Sequence, residues 1–199
     1  MELLLVRHAR PERVDGGRVA ADPGLTPAGL GQAQLLAKAF AAGAFGPVAA
    51  IVTSTMLRAR QTAEPVAEAL GLTAHADERL AELDVGWTSY GTGVESFPTR
   101  RAGYDELNAG RWGSNTYDPD AFAARVRAGV DDVIARYPQG DVVVVCHGGV
   151  ISAYLAHVVG SGRLLFLTPD HCSVTRVLAE PDGYREVLSV NESLHMRLE

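Results

Sequence analysis

Lysine and cysteine are scarce in this sequence of 199 residues. Lys38 is the only lysine. It sits in an alanine-rich stretch outside any P-loop motif, which argues against both Schiff-base and P-loop chemistry. The two cysteines, Cys146 and Cys172, are too few and too isolated for a disulfide framework or a CxxC metal knuckle. We expect both to be buried thiols in a reducing compartment, the cytoplasm.

Long apolar runs and an excess of positive charge are also absent. No run approaches the ~20 apolar residues that cross a bilayer, and the four from Leu3 to Val6 are too few for a signal-peptide core. The formal net charge of -6 argues against nucleic acid or an anionic membrane as partner, because binding a polyanion normally needs a basic surface. An anionic ligand must therefore be met by cations gathered locally.

Strand-like and helix-like segments alternate along the chain. The apolar runs Leu3 to Val6, Val48 to Val52 and Asp141 to Cys146 have the character of buried parallel strands. Helices are predicted from Thr26-Pro27 to Phe40, after the cap hydroxyls of Thr53-Ser54-Thr55, from Phe122 to Tyr137 and from Val150 to Val159. Val174 to Leu178 and Tyr184 to Val190 indicate a final hairpin.

This alternation predicts one α/β domain over residues 1–199, a three-layer α/β/α sandwich with a mainly parallel central sheet and an antiparallel edge strand. Leu80 to Val85 fits a short strand or an extended segment. Residues 88–120 show neither the helical nor the strand period of apolar residues, and they are rich in glycine and aromatic residues. They are a substrate-covering loop or lid, or a surface insertion with one short helix.

Polar side chains with phosphate-binding chemistry follow the predicted strands. Arg7 and His8 end the first strand, His147 follows another, and Arg58 lies in the first turn of the helix after a third. In open parallel sheets the ligand site lies beyond the carboxyl ends of the strands. Two histidines and two arginines there would suit a dianion, since guanidinium groups bind phosphate oxygens in pairs. Backbone amides after Gly148-Gly149 can add further donors.

Four segments resemble the histidine phosphatase superfamily, which includes the cofactor-dependent phosphoglycerate mutases. They are Leu5 to Ala9, Leu25 to Gly29 with Gln32-Ala33, Ser54 to Ala59 with Thr62-Ala63, and Val145 to Val150. Together they span roughly the first three quarters of the chain. The resemblance implies a metal-independent phosphatase that hydrolyses a small phosphorylated metabolite, a phosphate monoester, through a phosphohistidine.

The resemblance also implies roles for individual residues. His8 corresponds to the nucleophile and His147 to the second histidine, which hydrogen-bonds the transferring phosphoryl group. Arg7 and Arg58 correspond to the phosphate clamp. The family's general acid is a glutamate ahead of a Gly-Trp element, which here selects Glu82, with Asp84 as the alternative.

The sequence departs from the family pattern close to the nucleophile. Ala9 stands where the family usually has glycine, and Arg10-Pro11-Glu12 replaces an acidic residue followed by threonine or serine, so a phosphate-contacting hydroxyl is missing. Thr88-Ser89 after Trp87 stands where Glu-Gly is usual. These differences leave the substrate open, although the expected chemistry at His8 is unaffected.

Two alternative functions remain at this level. One is a phosphoglycerate mutase-type transfer, and another is a non-catalytic protein that binds a phosphorylated ligand. A metal site among His75, His157, His171 and His195 is disfavoured because no pair has a recognised ligand spacing, and no cofactor is expected. His171 could still edge the phosphate pocket. The oligomeric state is open.

Overall fold

The apolar runs of the sequence form the middle of a six-stranded sheet in the computed structural model, which describes residues 1–197. In chain order the strands are β1 (Glu2–Arg7), β2 (Val48–Ser54), β3 (Ala74–Asp77), β4 (Arg111–Trp112), β5 (Asn115–Thr116), β6 (Asp141–Cys146), β7 (Val174–Ala179) and β8 (Arg185–Glu192). The sheet has the strand order β3-β2-β6-β1-β7-β8, and β4 and β5 form a separate small hairpin.

Helices cover both faces of the sheet. They are α1 (Pro27–Ala41), α2 (Leu57–Leu70), α3 (Arg100–Asn108), α4 (Pro119–Arg136) and α5 (Gly148–Val159). Successive β1 side chains point to opposite faces, so Leu4 and Val6 pack with α1 and α2, whereas Leu3 and Leu5 pack with α4 and α5. The predicted three-layer sandwich is therefore confirmed. Within residues 1–197, none of the helices combines the length and apolar character needed to cross a membrane.

Strand directions bring the functional ends together. β1, β2, β3 and β6 are joined by parallel pairings, whereas β7 runs antiparallel to β1, and β8 is antiparallel to β7. The predicted parallel sheet and final hairpin are confirmed, with β8 at the edge. Because the four parallel strands point the same way, the segments that follow them meet beyond one end of the sheet.

The two cysteines lie on opposite faces of this sheet. Cys146 packs with α4 and α5, and Cys172 packs with α1 and α2. Both are free and fully buried, as predicted. Burial raises the pKa of the Cys146 thiol and raises the pKa of the Cys172 thiol to about 12.

Helix boundaries agree with the sequence for α1 and differ elsewhere. Thr26 caps α1 as predicted, with its hydroxyl accepting from the Gly29 amide at 2.9 Å. The prediction that Thr53-Ser54-Thr55 cap the next helix is wrong, because Thr53 and Ser54 belong to β2 and α2 begins at Leu57. The Asp22 carboxylate instead accepts from the Leu57 amide at 2.9 Å. Helix α4 begins at Pro119 and α5 at Gly148, each earlier than predicted.

The two irregular regions have more structure than the sequence indicated. The unpredicted strand β3 leads into a 3-10 turn at Glu78–Leu80, and a second turn follows at residues 83–86, with Ala81 and Glu82 between them. The expectation of a strand or one extended segment from Leu80 to Val85 is therefore wrong. Residues 88–120 contain a 3-10 turn at Val94–Ser96, the nine-residue helix α3 and the β4–β5 hairpin. This segment is tied to the N-terminal loop by a backbone bridge between Val14 and Tyr90.

Gly29 allows α1 to press against the loop that follows His8. A Cβ at Gly29 would overlap the Arg10 carbonyl oxygen, which already accepts bonds from the Thr26 amide and hydroxyl. We expect Gly29→Ala to lower the free energy of unfolding by roughly 1–3 kcal/mol through overpacking. Gly31→Ala is the control, because a Cβ there meets open space, and it should stabilise the helix by up to about 1 kcal/mol. Urea unfolding measures both, and equal effects would contradict the prediction.

Candidate active site

The two strand-end histidines face each other. The parallel pairing of β1 and β6 continues by one residue, because the His8 amide donates to the Cys146 carbonyl at 2.9 Å. The imidazoles of His8 and His147 are consequently neighbours, with ring centroids 5.1 Å apart, and both are almost fully buried. His171 is a third neighbour, 5.6 Å from His8 by ring centroids. His171 therefore lies beside the histidine pair.

Hydrogen bonding fixes which nitrogen of His8 keeps its lone pair. Its Nδ1 lies 2.7 Å from the Ala9 carbonyl oxygen. A carbonyl only accepts, so Nδ1 carries the proton and Nε2 keeps its lone pair. Burial lowers the pKa of the His8 imidazole well below its ordinary value, and the neighbouring His147 and the charges of Arg58 and Arg7 lower it further. His8 is therefore a neutral imidazole with a free Nε2, the form needed for nucleophilic attack.

His147 has the complementary arrangement. Its Nε2 lies 2.7 Å from the Ser54 hydroxyl, and that hydroxyl accepts from the Met56 amide. The Ser54 hydroxyl can in turn donate its proton to His147 Nε2, and in that tautomer the imidazole proton is on Nδ1. Within residues 1–197, His147 Nδ1 is a buried atom without a hydrogen-bond partner. Burial lowers the pKa of His147 as well, so it is neutral and presents one N–H donor.

Each of the two arginines is held through one nitrogen of its guanidinium group. Arg7 Nη1 donates to the Pro169 carbonyl oxygen. Arg58 is fully buried, and its Nη2 donates to both oxygens of Asp84 at 2.9 and 3.1 Å. Its guanidinium carbon also lies 4.5 Å from the centroid of the Tyr90 ring, a cation–π contact. These contacts restrain both guanidinium groups in place.

Three of the other guanidinium nitrogens in the described residues are buried without a hydrogen-bond partner. In the described part of the chain, Arg7 Nε and the Nε and Nη1 atoms of Arg58 have no hydrogen-bond partner, like His147 Nδ1. Buried donors are almost always paired, so four of them around one histidine are unusual. Their charge and donor character suit an oxyanion with several oxygens. The sequence prediction that these four residues converge is therefore matched by their positions.

Glu82 lies at the N-terminus of α5. One of its carboxylate oxygens accepts from the Gly149 amide at 2.7 Å and the other accepts from the Leu83 amide at 2.9 Å. The Gly149 amide is thus occupied by Glu82. Burial raises the pKa of Glu82, and Asp84 raises it further, against the opposing effect of the two amide bonds. A raised pKa suits a carboxyl group that must donate a proton.

Asp84, the alternative acid, has a different position. Both of its oxygens bind Arg58, and the side chain is buried. Burial raises its pKa, while the charge and hydrogen bond of Arg58 lower it. A carboxylate held by a guanidinium is a poor proton donor, because the ion pair favours its charged form. The geometry favours Glu82 as the acid.

The departures from the family pattern near His8 leave the backbone undistorted. Cys172 and Asn191 are the non-glycine residues with positive φ in residues 1–197, so Ala9 keeps an ordinary conformation. The Ala9 amide donates to the Thr62 hydroxyl at 2.9 Å, and the Arg10 amide donates to the Gln32 side chain at 2.9 Å. Residues of the second and third resembling segments thus hold the loop after His8. The Arg10 side chain is exposed.

Sequence reasoning missed three residues that support the site. Tyr90 stacks on Arg58, Ser54 orients His147, and Asp84 binds Arg58 rather than serving only as an alternative acid. The position of Ser54, two residues after the predicted strand Val48 to Val52, was a usable signal. The stacking of Tyr90 had none, because it depends on the backbone bridge to Val14.

The other histidines do not form a cluster. His75 and His157 are exposed, and His195 bonds through Nε2 to the Cys172 carbonyl at 2.9 Å. Among residues 1–197 there is no group of three or more His, Cys, Asp or Glu side chains arranged to hold a metal ion. The four metal-site candidates of the sequence are thus dispersed, apart from His171 beside His8.

Comparison with known families agrees with this geometry. The model of the histidine phosphatase superfamily, branch 1, matches residues 3–192. The chain belongs to the histidine phosphatase superfamily. The resemblance drawn from the four sequence segments is confirmed.

Individual relatives of this chain differ in length and name. A "Bifunctional protein" of Mycobacterium tuberculosis is 32% identical over 96% of the chain, but the chain spans only 54% of that relative. The "Putative phosphoserine phosphatase 2" of Hydrogenobacter thermophilus is 29% identical, with 98% of the chain and 97% of the relative covered. A mycobacterial glucosyl-3-phosphoglycerate phosphatase in complex with VO3 shares the fold, with a TM-score of 0.75, 24% identity and coverage of 96% and 99%.

Proposed function

We propose that the chain hydrolyses the phosphate monoester of a small metabolite through a phosphohistidine on His8. The observation that carries this proposal is the set of buried, unpartnered donors from Arg7, Arg58 and His147 beside an imidazole whose Nε2 is free. Such donors stabilise the charge on phosphoryl oxygens in the transition state. Family membership supports the same chemistry.

The first half-reaction forms the phosphoenzyme. The lone pair of His8 Nε2 attacks phosphorus as the bond from phosphorus to the ester oxygen breaks. The departing alkoxide takes the proton of the Glu82 carboxyl group. Arg7 and Arg58 bind the other phosphoryl oxygens, and His147 donates through Nδ1–H. The Ala9 carbonyl holds the Nδ1–H of His8 and so stabilises the positive charge of the phosphorylated imidazole.

The second half-reaction releases inorganic phosphate. The Glu82 carboxylate, now deprotonated, accepts a proton from a water molecule whose oxygen attacks phosphorus. The bond between phosphorus and Nε2 breaks, its electron pair returns to the imidazole, and the protonated Glu82 is regenerated. One carboxyl group therefore serves as acid and then as base. No step needs a further reactant.

Residues 88–120 are proposed to cover the substrate. Tyr90 contacts the phosphate-binding Arg58, and Tyr104 of α3 hydrogen-bonds the Thr168 hydroxyl at 2.7 Å, three residues before His171. The segment thus contacts both Arg58 and the stretch that precedes His171. This placement suits a wall that selects the alcohol part of the substrate, as loops on a rigid scaffold commonly do.

The test is a turnover screen with phosphate release as the readout. The panel holds phosphoserine, 3-phosphoglycerate, glucosyl-3-phosphoglycerate, sugar phosphates and nucleotides. Phosphoserine and the two glycerate esters come first, because they correspond to the names of a relative and a structural neighbour. Release of phosphate from at least one small monoester supports the proposal. Isomerisation of 3-phosphoglycerate without release, or no turnover of any compound, would overturn it.

The pH profile tests Glu82 as the acid. The proposed mechanism needs protonated Glu82 and neutral His8, so kcat/KM falls as pH rises through the raised pKa of Glu82 and as pH falls through the lowered pKa of His8. We expect Glu82→Gln to lower kcat/KM by about 10²–10⁴-fold and to remove the decline on the basic side. If kcat/KM of Glu82→Gln still declined as pH rises, that decline would belong to another titrating group.

A further inference from the structure

The main chain that carries Glu82 is bound by one side chain of α4. Arg125 Nη1 donates to the carbonyl oxygens of Arg79 and Ala81 at 2.9 and 2.8 Å, and more weakly to that of Glu78 at 3.3 Å. Its Nη2 lies 3.4 Å from the Glu82 carbonyl oxygen. Charge-assisted bonds of this kind are stronger than neutral ones. One guanidinium therefore holds the turn from residue 78 to residue 82.

Helix α4 is shaped to bring Arg125 to this turn. The Phe122 ring, one turn earlier on the same face, lies 5.1 Å from the Arg125 guanidinium carbon and restrains it. Gly129, one turn later, permits the close approach, because a Cβ there would meet the Arg79 side chain at 2.9 Å. The helix is thus packed tightly against the turn on both sides of Arg125.

Arg125 acts on the backbone of Glu82 and the α5 N-terminus acts on its carboxylate. The carboxylate oxygens accept from the Gly149 and Leu83 amides, whereas the hydrogen bonds of Arg125 go to main-chain carbonyl oxygens. The Glu82 carboxylate is therefore held by backbone amides, and the Glu82 main chain is held by Arg125. A shift of the Glu82 main chain would move the carboxyl group relative to the leaving-group oxygen.

We propose that Arg125 is a positioning residue that sets the Glu82 carboxyl group for proton donation to the leaving group. This inference rests on the proposed function, in which Glu82 is the general acid. It predicts that loss of Arg125 harms proton donation more than phosphate binding. A misplacement of about 1 Å can cost on the order of 10²-fold in rate.

The test compares substrates that need the acid to different degrees. p-Nitrophenyl phosphate has a leaving group that departs with little protonation, whereas phenyl phosphate and glycerol 3-phosphate need a proton. For Arg125→Gln we expect kcat/KM to fall about 10²-fold on the latter two and far less on the first. The measure is kcat/KM because it reports the step that breaks the ester bond. Competitive inhibition by inorganic phosphate should stay close to that of the unaltered chain.

Matched variants separate positioning from general damage. Arg127→Gln makes the same change on the exposed side of α4 and should leave all three substrates unaffected. Arg125→Lys keeps the charge and should recover part of the lost activity on phenyl phosphate. If Arg125→Gln does not fold, the same three substrates are compared in Arg125→Lys and Phe122→Leu. An equal loss on all three substrates, or no loss, would overturn the inference.

Glu82→Gln distinguishes failure of this inference from failure of the proposed function. If Glu82→Gln shows the selective loss and Arg125→Gln does not, Glu82 is the acid and Arg125 does not position it. If Glu82→Gln itself loses no more on phenyl phosphate than on p-nitrophenyl phosphate, the proposed acid is wrong and the inference falls with it. Selective loss in both variants supports the two together.

Discussion

Replacing His8 with asparagine should abolish covalent phosphorylation and lower kcat by on the order of 10⁴–10⁶-fold, the scale reached when a catalytic nucleophile is lost. Asparagine is a sharp choice, because its amide can still donate to the Ala9 carbonyl as His8 Nδ1 does. It has no equivalent of the Nε2 lone pair. The variant therefore keeps the local hydrogen bond and loses the reactive atom.

The measurement for His8→Asn is rapid acid-free quenching with a substrate labelled in its phosphate group. A phosphohistidine gives a label that is stable in base and lost in acid, and this label should be absent in His8→Asn. His171→Asn is the matched control, because His171 lies 5.6 Å from His8 by ring centroids but is not the proposed nucleophile. The label should persist there. A label that survives in His8→Asn would move the nucleophile to another residue.

The sheet was predictable because its central strands are buried on both faces. Such strands appear as continuous apolar runs, as in β1 and β6, and their order along the chain indicates parallel pairing. β3 was missed because its sequence Ala-His-Ala-Asp is half polar, and it lies at the sheet edge. The start of α2 was misplaced because its cap comes from Asp22, which is distant in sequence. Capping by a remote residue leaves no local pattern.

The positions of the site residues were predictable where strand ends carry them. Arg7, His8 and His147 follow apolar strands directly, so topology alone brings them together. Glu82 lies on a turn without periodicity, and its choice over Asp84 depended on family resemblance. The three-dimensional contacts favour Glu82 independently of that resemblance. They pair Asp84 with Arg58 and place the Glu82 carboxylate at the start of α5. The role of Arg125 depends on helix packing and has no sequence signal.

Replacing Arg58 with methionine should damage both activity and stability, for separate reasons. Loss of a guanidinium that neutralises phosphoryl oxygens lowers kcat by on the order of 10³-fold or more. The change also leaves Asp84 buried without its partner, which lowers the free energy of unfolding by about 3–5 kcal/mol. Arg60→Met, an exposed arginine on the same helix, should change neither quantity appreciably. Steady-state kinetics and urea unfolding measure the two effects.

A double variant separates the two roles of Arg58. In Arg58→Met with Asp84→Leu the buried ion pair becomes an apolar pair, a change that is often neutral or stabilising. We expect the free energy of unfolding to return close to that of the unaltered chain while kcat stays low. In the single variant the deficit should shrink as pH falls, because burial raises the pKa of Asp84 and protonation removes its unpaired charge. Recovery of kcat together with stability in the double variant would make Arg58 a structural residue, since only a phosphate-binding role leaves activity lost in a fully folded protein.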